Sequence, residues 1–321
     1  MDPDELGFDP TRLDRIADVT HWYVDEGRMP GTLVAVLRGE HEVYRDAYGM
    51  ADIGRGIPVA DDTVFRLYSM SKPITSIALL QLVEQGRVLL DDPLAAHLPE
   101  YAQVRVWAGG TAAHYSTRPP DREIRIVDLL RHTAGFTYDF LAAHPVDQLY
   151  ATHGLSGLSP DLDLAEFCAT AAGLPLAYSP GDHWCYSIAT DICGRVVEVV
   201  SGRTLGDYLA AEVLGPLGMT ETSFWAGPDQ HDRLAALYAA TPDGGMALID
   251  DPATSSLRAP PAMESGGGGW VGTLDDYLRF CRCLLRGGEL DGRRIIGRKT
   301  LELATRNHLP GGRSVTEMWF T

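Results

Sequence analysis

The amino-acid sequence predicts an α+β fold, an antiparallel sheet flanked by helices with a mainly helical lobe inserted, and three observations carry that expectation. An apolar run at 31–37 and a second strand-like stretch at 42–49 flank a turn at Gly39. Strand patterns then fade between residues 88 and 255, where short helical segments alternate with loops rich in Pro and Gly. Beyond residue 256 a run of glycines, Gly266 to Gly269, leads into the amphipathic stretch TLDDYLRFCRCLLRGG. On sequence the chain therefore divides into an α/β part made of 1–87 and 256–321, and a helical insert of 88–255.

Each element follows from its spacing. Leu13, Ile16, Val19 and Tyr23 recur at helical intervals and the pattern stops at Gly27, so 12–27 form the first helix. GTLVAVL is apolar throughout and reads as a buried strand, with EVYRDAYG pairing back onto it. TVFRLYSMSKP then runs into ITSIALLQLVEQGRV, whose Ile74, Ile77, Ala78 and Val83 suit a buried helix closing near Gly86. The tetrapeptide SMSK lies at that helix's start. In the insert, IVDLLRH, DLAEFCATAAG, ATDICGRVVEVVSG and TLGDYLAAEVLGPLG are the helices, and KTLELATRN is a last one near the chain's end. No fixed-period repeat is present.

Composition narrows the function classes. The 27 basic against 44 acidic residues give a net charge of −17, which disfavours nucleic acid and anionic membrane surfaces as partners. No window approaches the ~18 consecutive apolar residues of a membrane span, and the acidic start MDPDELGFDPTRLDR lacks a secretion pattern, so the expected location is the cytoplasm. The five cysteines, Cys168, Cys185, Cys193, Cys281 and Cys283, lack zinc spacing and read as reduced core thiols. Among ten His no pair has H-E-x-x-H spacing, and the glycine run lacks a following G-K-[ST], so neither a metal nor a cofactor is expected. No G-x-S-x-G elbow exists. The sequence sets no oligomeric state.

One oddity points to chemistry. Of the 27 basic residues only Lys72 and Lys299 are lysines. Lys72 closes an S-x-x-K tetrapeptide, Ser69-Met70-Ser71-Lys72, where positions three apart share a helical face and bring hydroxyl and amine within reach. A serine needs a neighbouring base to attack a carbonyl; a lysine can act as one, whereas an arginine does not deprotonate. The amides at a helix N-terminus also stabilise negative charge developing on the attacked oxygen. Random order would place such a tetrapeptide in about one chain in ten of this composition, so position matters: this one sits at a strand-to-helix transition with Pro73 just after it. Ser71 lacks the helical-turn spacing to Lys72.

VFRLYSMSKPITSIALLQLVEQGRVLLDDPLAAHLPEY, LLRHTAGFTY, WCYSIATDICGRVVEVVSG and ESGGGGWVGTLDDYLRF together resemble the serine β-lactamase and penicillin-binding-protein-like superfamily, in its class C-like, family VIII esterase branch. The resemblance spans nearly the whole chain and implies a β-lactamase/transpeptidase-like fold. It also implies that Ser69 is the acylated nucleophile, Lys72 its partner and Tyr186 of WCYSIATD the third group. Ile188 stands where lactam-recognising members carry an asparagine, so it is expected in the substrate pocket as an apolar residue that cannot hold an amide, with Gly267 and Gly268 packed beside the same pocket. His132 of RHTAGF is expected to fix a loop. The family's third motif, a K-T-G, H-x-G or W-x-G triplet, is not matched by Trp270-Val271-Gly272 or by Lys299-Thr300, which leads to the expectation that further strands belong after Thr321 and that the chain is C-terminally incomplete. The implied function is cleavage of small carboxylic esters, with a β-lactamase or D-alanyl-D-alanine carboxypeptidase, an acyltransferase, or a non-catalytic fragment as alternatives.

Overall fold

A computed structural model describes residues 3–155 and 161–320. It resolves into two compact units, each built from segments distant in sequence. The first gathers the residues up to Arg66 with Leu217–Pro260 and Val271–Arg294, and the second gathers Leu67–Pro216, Pro261–Trp270 and the residues from Ile295 on. These divisions fall elsewhere than 87/88 and 255/256: the S-x-x-K helix joins the second unit, and part of the insert joins the first.

In the first unit the opening helix runs Pro10–Asp25, started by Asp9, whose carboxylate accepts from the Thr11 amide at 2.9 Å. It packs on an antiparallel hairpin of Gly31–Arg38 and His41–Asp52, to which the short strand Ile57–Pro58 adds. The GTLVAVL strand is half-buried along its length, not fully buried as its apolar run suggests. It lies at the edge of the three-stranded sheet, with His41–Asp52 in the middle, so an apolar run here fills one covered face and an exposed flank. Leu237–Ala240 and Met246–Asp250 form a second antiparallel pair, and Phe65–Arg66 pairs with Val271–Gly272. The helix Leu274–Leu285 follows, its N-terminus capped by Thr273.

The core of the second unit is the helix Ser71–Glu84. Ile74, Ala78, Leu79 and Leu82 are fully buried, and the helix packs against Ala189–Ser201, in which Ile192, Val196 and Val197 are fully buried. The shorter helices Ile126–Leu130 and Leu164–Ala172 pack on Ala189–Ser201, and Pro145–Thr152 and Arg298–Ala304 belong to the same unit. A hairpin, Val106–Thr111 with His114–Arg118, also belongs here. Like the 237–250 pair it lies inside the stretch read as helical, and both escaped detection because they are short, mostly solvent-facing and lack an apolar alternation. All five cysteines are free, four of them buried and Cys281 partly so. No described helix is long and apolar enough to cross a membrane.

Gly49 in the middle strand has φ 79°, and a Cβ there would lie 2.6 Å from the Pro30 carbonyl oxygen and 2.8 Å from Val24 Cγ1 of the first helix. Gly54 has only the Asp52 carboxylate nearby, at 3.4 Å. Gly49→Ala is therefore expected to destabilise the protein by about 1 to 3 kcal/mol while Gly54→Ala stays near neutral, since only the former combines left-handed backbone with a backbone clash. Thermal unfolding of the two variants followed by circular dichroism checks the difference; equal melting temperatures would refute it.

Candidate active site

Ser69 sits in a single 3-10 turn, Tyr68–Met70, that hands the chain into the helix Ser71–Glu84. Tyr68 is held at φ 44°, a left-handed conformation that costs a non-glycine residue energy and is found where the surroundings enforce it. The Leu67 amide donates to the Trp270 carbonyl at 2.8 Å, which ties the turn to the glycine run's far end. Ser69 is exposed, and Lys72 Nζ donates to its Oγ at 3.2 Å from the same helical face. Ser71 is fully buried and its hydroxyl has no hydrogen-bond partner, so it faces the core. Lys299, the other lysine, is a surface residue paired with Glu302 at 2.6 Å.

Tyr186 reaches the same serine from a different element. Its hydroxyl donates to Ser69 Oγ in a short hydrogen bond. The loop that carries it is stitched to 132–137 on both sides: Cys185 N donates to the His132 carbonyl at 3.1 Å and Ile188 N to the Thr137 carbonyl at 3.2 Å. His132, itself at φ 57°, is 3.1 Å from Ser187 Oγ through Nδ1. Burial, with Lys72 adding in the same direction, pushes this imidazole down to about 3, so it is neutral at physiological pH and serves as a hydrogen-bonding prop. Beneath that turn the fully buried Asp128 carboxylate takes Arg122 at 2.6 and 2.9 Å, Arg131 at 2.7 Å, Thr133 Oγ1 at 3.1 Å and the Arg125 amide at 2.9 Å. Burial alone would raise its pKa; these donors reverse the direction and keep it ionised.

The glycine run supplies the third side. Lys72 Nζ donates to the Gly267 carbonyl at 2.7 Å, and the Gly267 amide donates to Asp191 Oδ1 at 3.0 Å. Ser265 Oγ donates to the same carboxylate oxygen at 2.6 Å, while Thr75 Oγ1 fixes the Gly266 carbonyl at 2.9 Å. Lys72 is only 9% exposed and Asp191 is fully buried. Burial pushes the Asp191 carboxyl up, against the pull of Ser265, the Gly267 amide and Lys72. A Cβ at Gly267 would stand 2.6 Å from Asp191 Oδ2, and one at Gly268 would lie 3.6 Å from the Tyr68 carbonyl carbon. Glycine is required at 267 so that backbone can meet carboxylate.

Ser69, Lys72, Tyr186, Gly267 and Gly268 thus converge within the second unit. Ile188 does not join them: it is fully buried at the start of the helix Ala189–Ser201, because the chain turns into that helix right after Tyr186 instead of continuing extended along the cleft. Discrimination against lactams through its side chain has no exposed surface to act with. Asp191 was missed by sequence reasoning. An acid in a helix's first turn reads as a dipole partner, and only its place among buried Ile192, Cys193 and Val196 hints at another role. No third motif is seen among the described residues. Instead Met318 and Phe320 bracket Trp184 through backbone bonds of 2.6 and 2.9 Å, and Thr321 lies outside the described residues.

The sequence profile of the Beta-lactamase family matches residues 16–318. Protein Rv1367c of Mycobacterium tuberculosis is 35% identical over 285 residues, covering 89% of this chain and 69% of that protein. Esterase EstB of Burkholderia gladioli is 33% identical over 300 residues, covering 87% of this chain and 72% of its own length. Among solved structures, EstCE1, described as a hydrolase with promiscuous acyltransferase activity, superposes with a TM-score of 0.77 at 30% identity over 92% of this chain and 77% of that one.

Asp191→Asn tests the buried link. The amide oxygen can still accept from Ser265 and Gly267, so the variant is expected to fold with a melting temperature within about 4 °C of the parent, yet, for a site in which Ser69 attacks with Lys72 taking its proton, to lose roughly tenfold or more in kcat/KM because the ammonium that forms on Lys72 lacks its buried counter-charge. Unchanged kcat/KM across the pH range would show that Asp191 only packs.

Proposed function

This chain belongs to the Beta-lactamase family, and from that premise we propose that it is a serine hydrolase that cleaves small carboxylic esters through an acyl-enzyme on Ser69. The observation that carries the reading is the meeting of Lys72 Nζ and the Tyr186 hydroxyl at the Oγ of one exposed serine, Ser69. An ordinary structural serine does not gather an amine and a phenol, each anchored elsewhere. The identity to esterase EstB and the likeness to EstCE1 support the same chemistry.

In the proposed sequence Ser69 Oγ bonds to the ester carbonyl carbon as its proton passes to the Lys72 amine. Amides at the head of the Ser71–Glu84 helix stabilise the oxyanion. The carbon–oxygen bond to the alcohol then breaks, and Tyr186 gives its proton to the departing oxygen. Lys72 returns its extra proton to the Tyr186 phenolate, which leaves the site in its starting protonation with an acyl group on Ser69. Water repeats the attack, donating one proton to the same relay and ending as acid plus regenerated serine. The bond from Lys72 to the Gly267 carbonyl fixes one N–H and keeps the nitrogen aimed at Oγ.

Acyl transfer is the second reading, favoured by the acyltransferase activity attributed to EstCE1. An alcohol would take the place of water in the second step, its proton passing to the Lys72 amine as its oxygen bonds to the acyl carbon, and Tyr186 giving its proton to Ser69 Oγ as the acyl–serine bond breaks. Product analysis with added alcohol separates the two.

Ser69→Ala is expected to abolish both ester turnover and labelling by a serine-directed phosphonate, and Lys72→Arg to lower kcat/KM by about 10³-fold or more, since a permanent cation accepts no proton. Intact mass and peptide mapping after phosphonate exposure check the assignment; label on any serine other than Ser69 would sink it.

A further inference from the structure

We propose that the aromatic rings flanking Tyr186 form a seat for the alcohol portion of the ester, and that this seat favours a large, flat, uncharged alcohol over a small one. The inference rests on the ester-cleavage reading above and adds the substrate class to it.

The departing oxygen must come within hydrogen-bond reach of the Tyr186 hydroxyl to take its proton. The carbon frame attached to that oxygen therefore lies against whatever adjoins Tyr186. Tyr138 is tilted against Tyr186 at 5.4 Å between centroids, and Phe140 stacks on Tyr138 at 4.7 Å. Trp184 also adjoins Tyr186, its ring inclined by 28° at 6.4 Å between centroids, and Trp319 tilts against Trp184 at 4.9 Å. Phe140 is 65% exposed and Trp319 49% exposed, so two large apolar side chains, each one ring removed from Tyr186, remain open to solvent. Covering them with an apolar group releases water at no polar cost.

The rings also carry no charge. Burial keeps the Tyr138 phenol protonated by pushing its pKa upward, and His132, 5.3 Å from the Tyr186 ring, is neutral. Lys72 Nζ already lies over Tyr186 at 4.6 Å and Tyr138 at 5.4 Å, which occupies the ring faces that a cationic alcohol would seek. A net charge of −17 does nothing to draw an anionic one. An uncharged aromatic or polycyclic alcohol fits all of these conditions.

The test compares phenyl acetate with 2-naphthyl acetate, which share an acyl group and have phenols of similar acidity. The parent chain is expected to favour the naphthyl ester about tenfold in kcat/KM, the scale of one added apolar contact surface. Phe140→Ala and Trp184→Ala are each expected to cut that preference about threefold or more, chiefly through KM. Phe140 is exposed, so its removal leaves the fold intact. A preference near one in the parent, or one unchanged in both variants, overturns the seat while phenyl acetate turnover and Ser69 labelling leave ester cleavage standing. No turnover of either ester together with no label on Ser69 overturns both.

Discussion

The Lys72 amine bonded to the Gly267 carbonyl is the constraint on which the site depends. A lysine this deeply buried is stable only if its nitrogen has partners, and the structure supplies one through a peptide group instead of a direct carboxylate contact. The same peptide's amide rests on Asp191, so the buried carboxyl and the buried lysine are joined through Gly267 and not by a direct salt bridge between side chains. That arrangement leaves the nitrogen's remaining directions open toward Ser69. It also explains the sequence locally: a residue larger than glycine at 267 would push the carboxylate away and take the carbonyl with it.

The opposite wall is fixed by charge as well, at one remove. Asp128 collects two arginines, a threonine and a backbone amide in a place where an unpaired carboxylate would cost several kcal/mol. Its satisfied network holds the turn at His132, the His132 carbonyl holds the Cys185 amide, and the adjacent Tyr186 is thereby aimed at Ser69. Two independent polar anchors, Asp128 on one side and Asp191 on the other, therefore set the distance between phenol and amine. Neither anchor touches the reacting atoms.

Much of this was legible in the sequence, and the misses have physical causes. The Ser71–Glu84 helix and the first hairpin carry long apolar runs bounded by turn residues, so their places were legible from run length and the glycines that end them. Ser69 and Lys72 followed from helical geometry, whereas Tyr186 was one of 13 tyrosines and needed the family resemblance to stand out. The 106–118 and 237–250 hairpins bury too little to leave an apolar signature. Ile188 was placed in the cleft by analogy with an asparagine position, but an isoleucine there gains more by burying its side chain in the core. Asp191 was hidden because its partner is a backbone amide distant in sequence, and no spacing rule links residue 191 to residue 267.

The scarcity of lysine acquires meaning from these contacts. Arginine occupies nearly every position whose task is to hold a carboxylate, as Arg122 and Arg131 do at Asp128, where a planar, permanently charged group gives two-point bonding. Such a group is unsuitable at 72. It could not accept a proton, and its planar fork needs more partners than a single glycine carbonyl and a serine hydroxyl provide. Of the two lysines, Lys299 sits on the surface opposite Glu302, a place arginine could fill equally well. Lys72 alone sits with a compact nitrogen between the Gly267 carbonyl and Ser69 Oγ, and that placement is what joins the charge composition of the chain to the chemistry proposed for it.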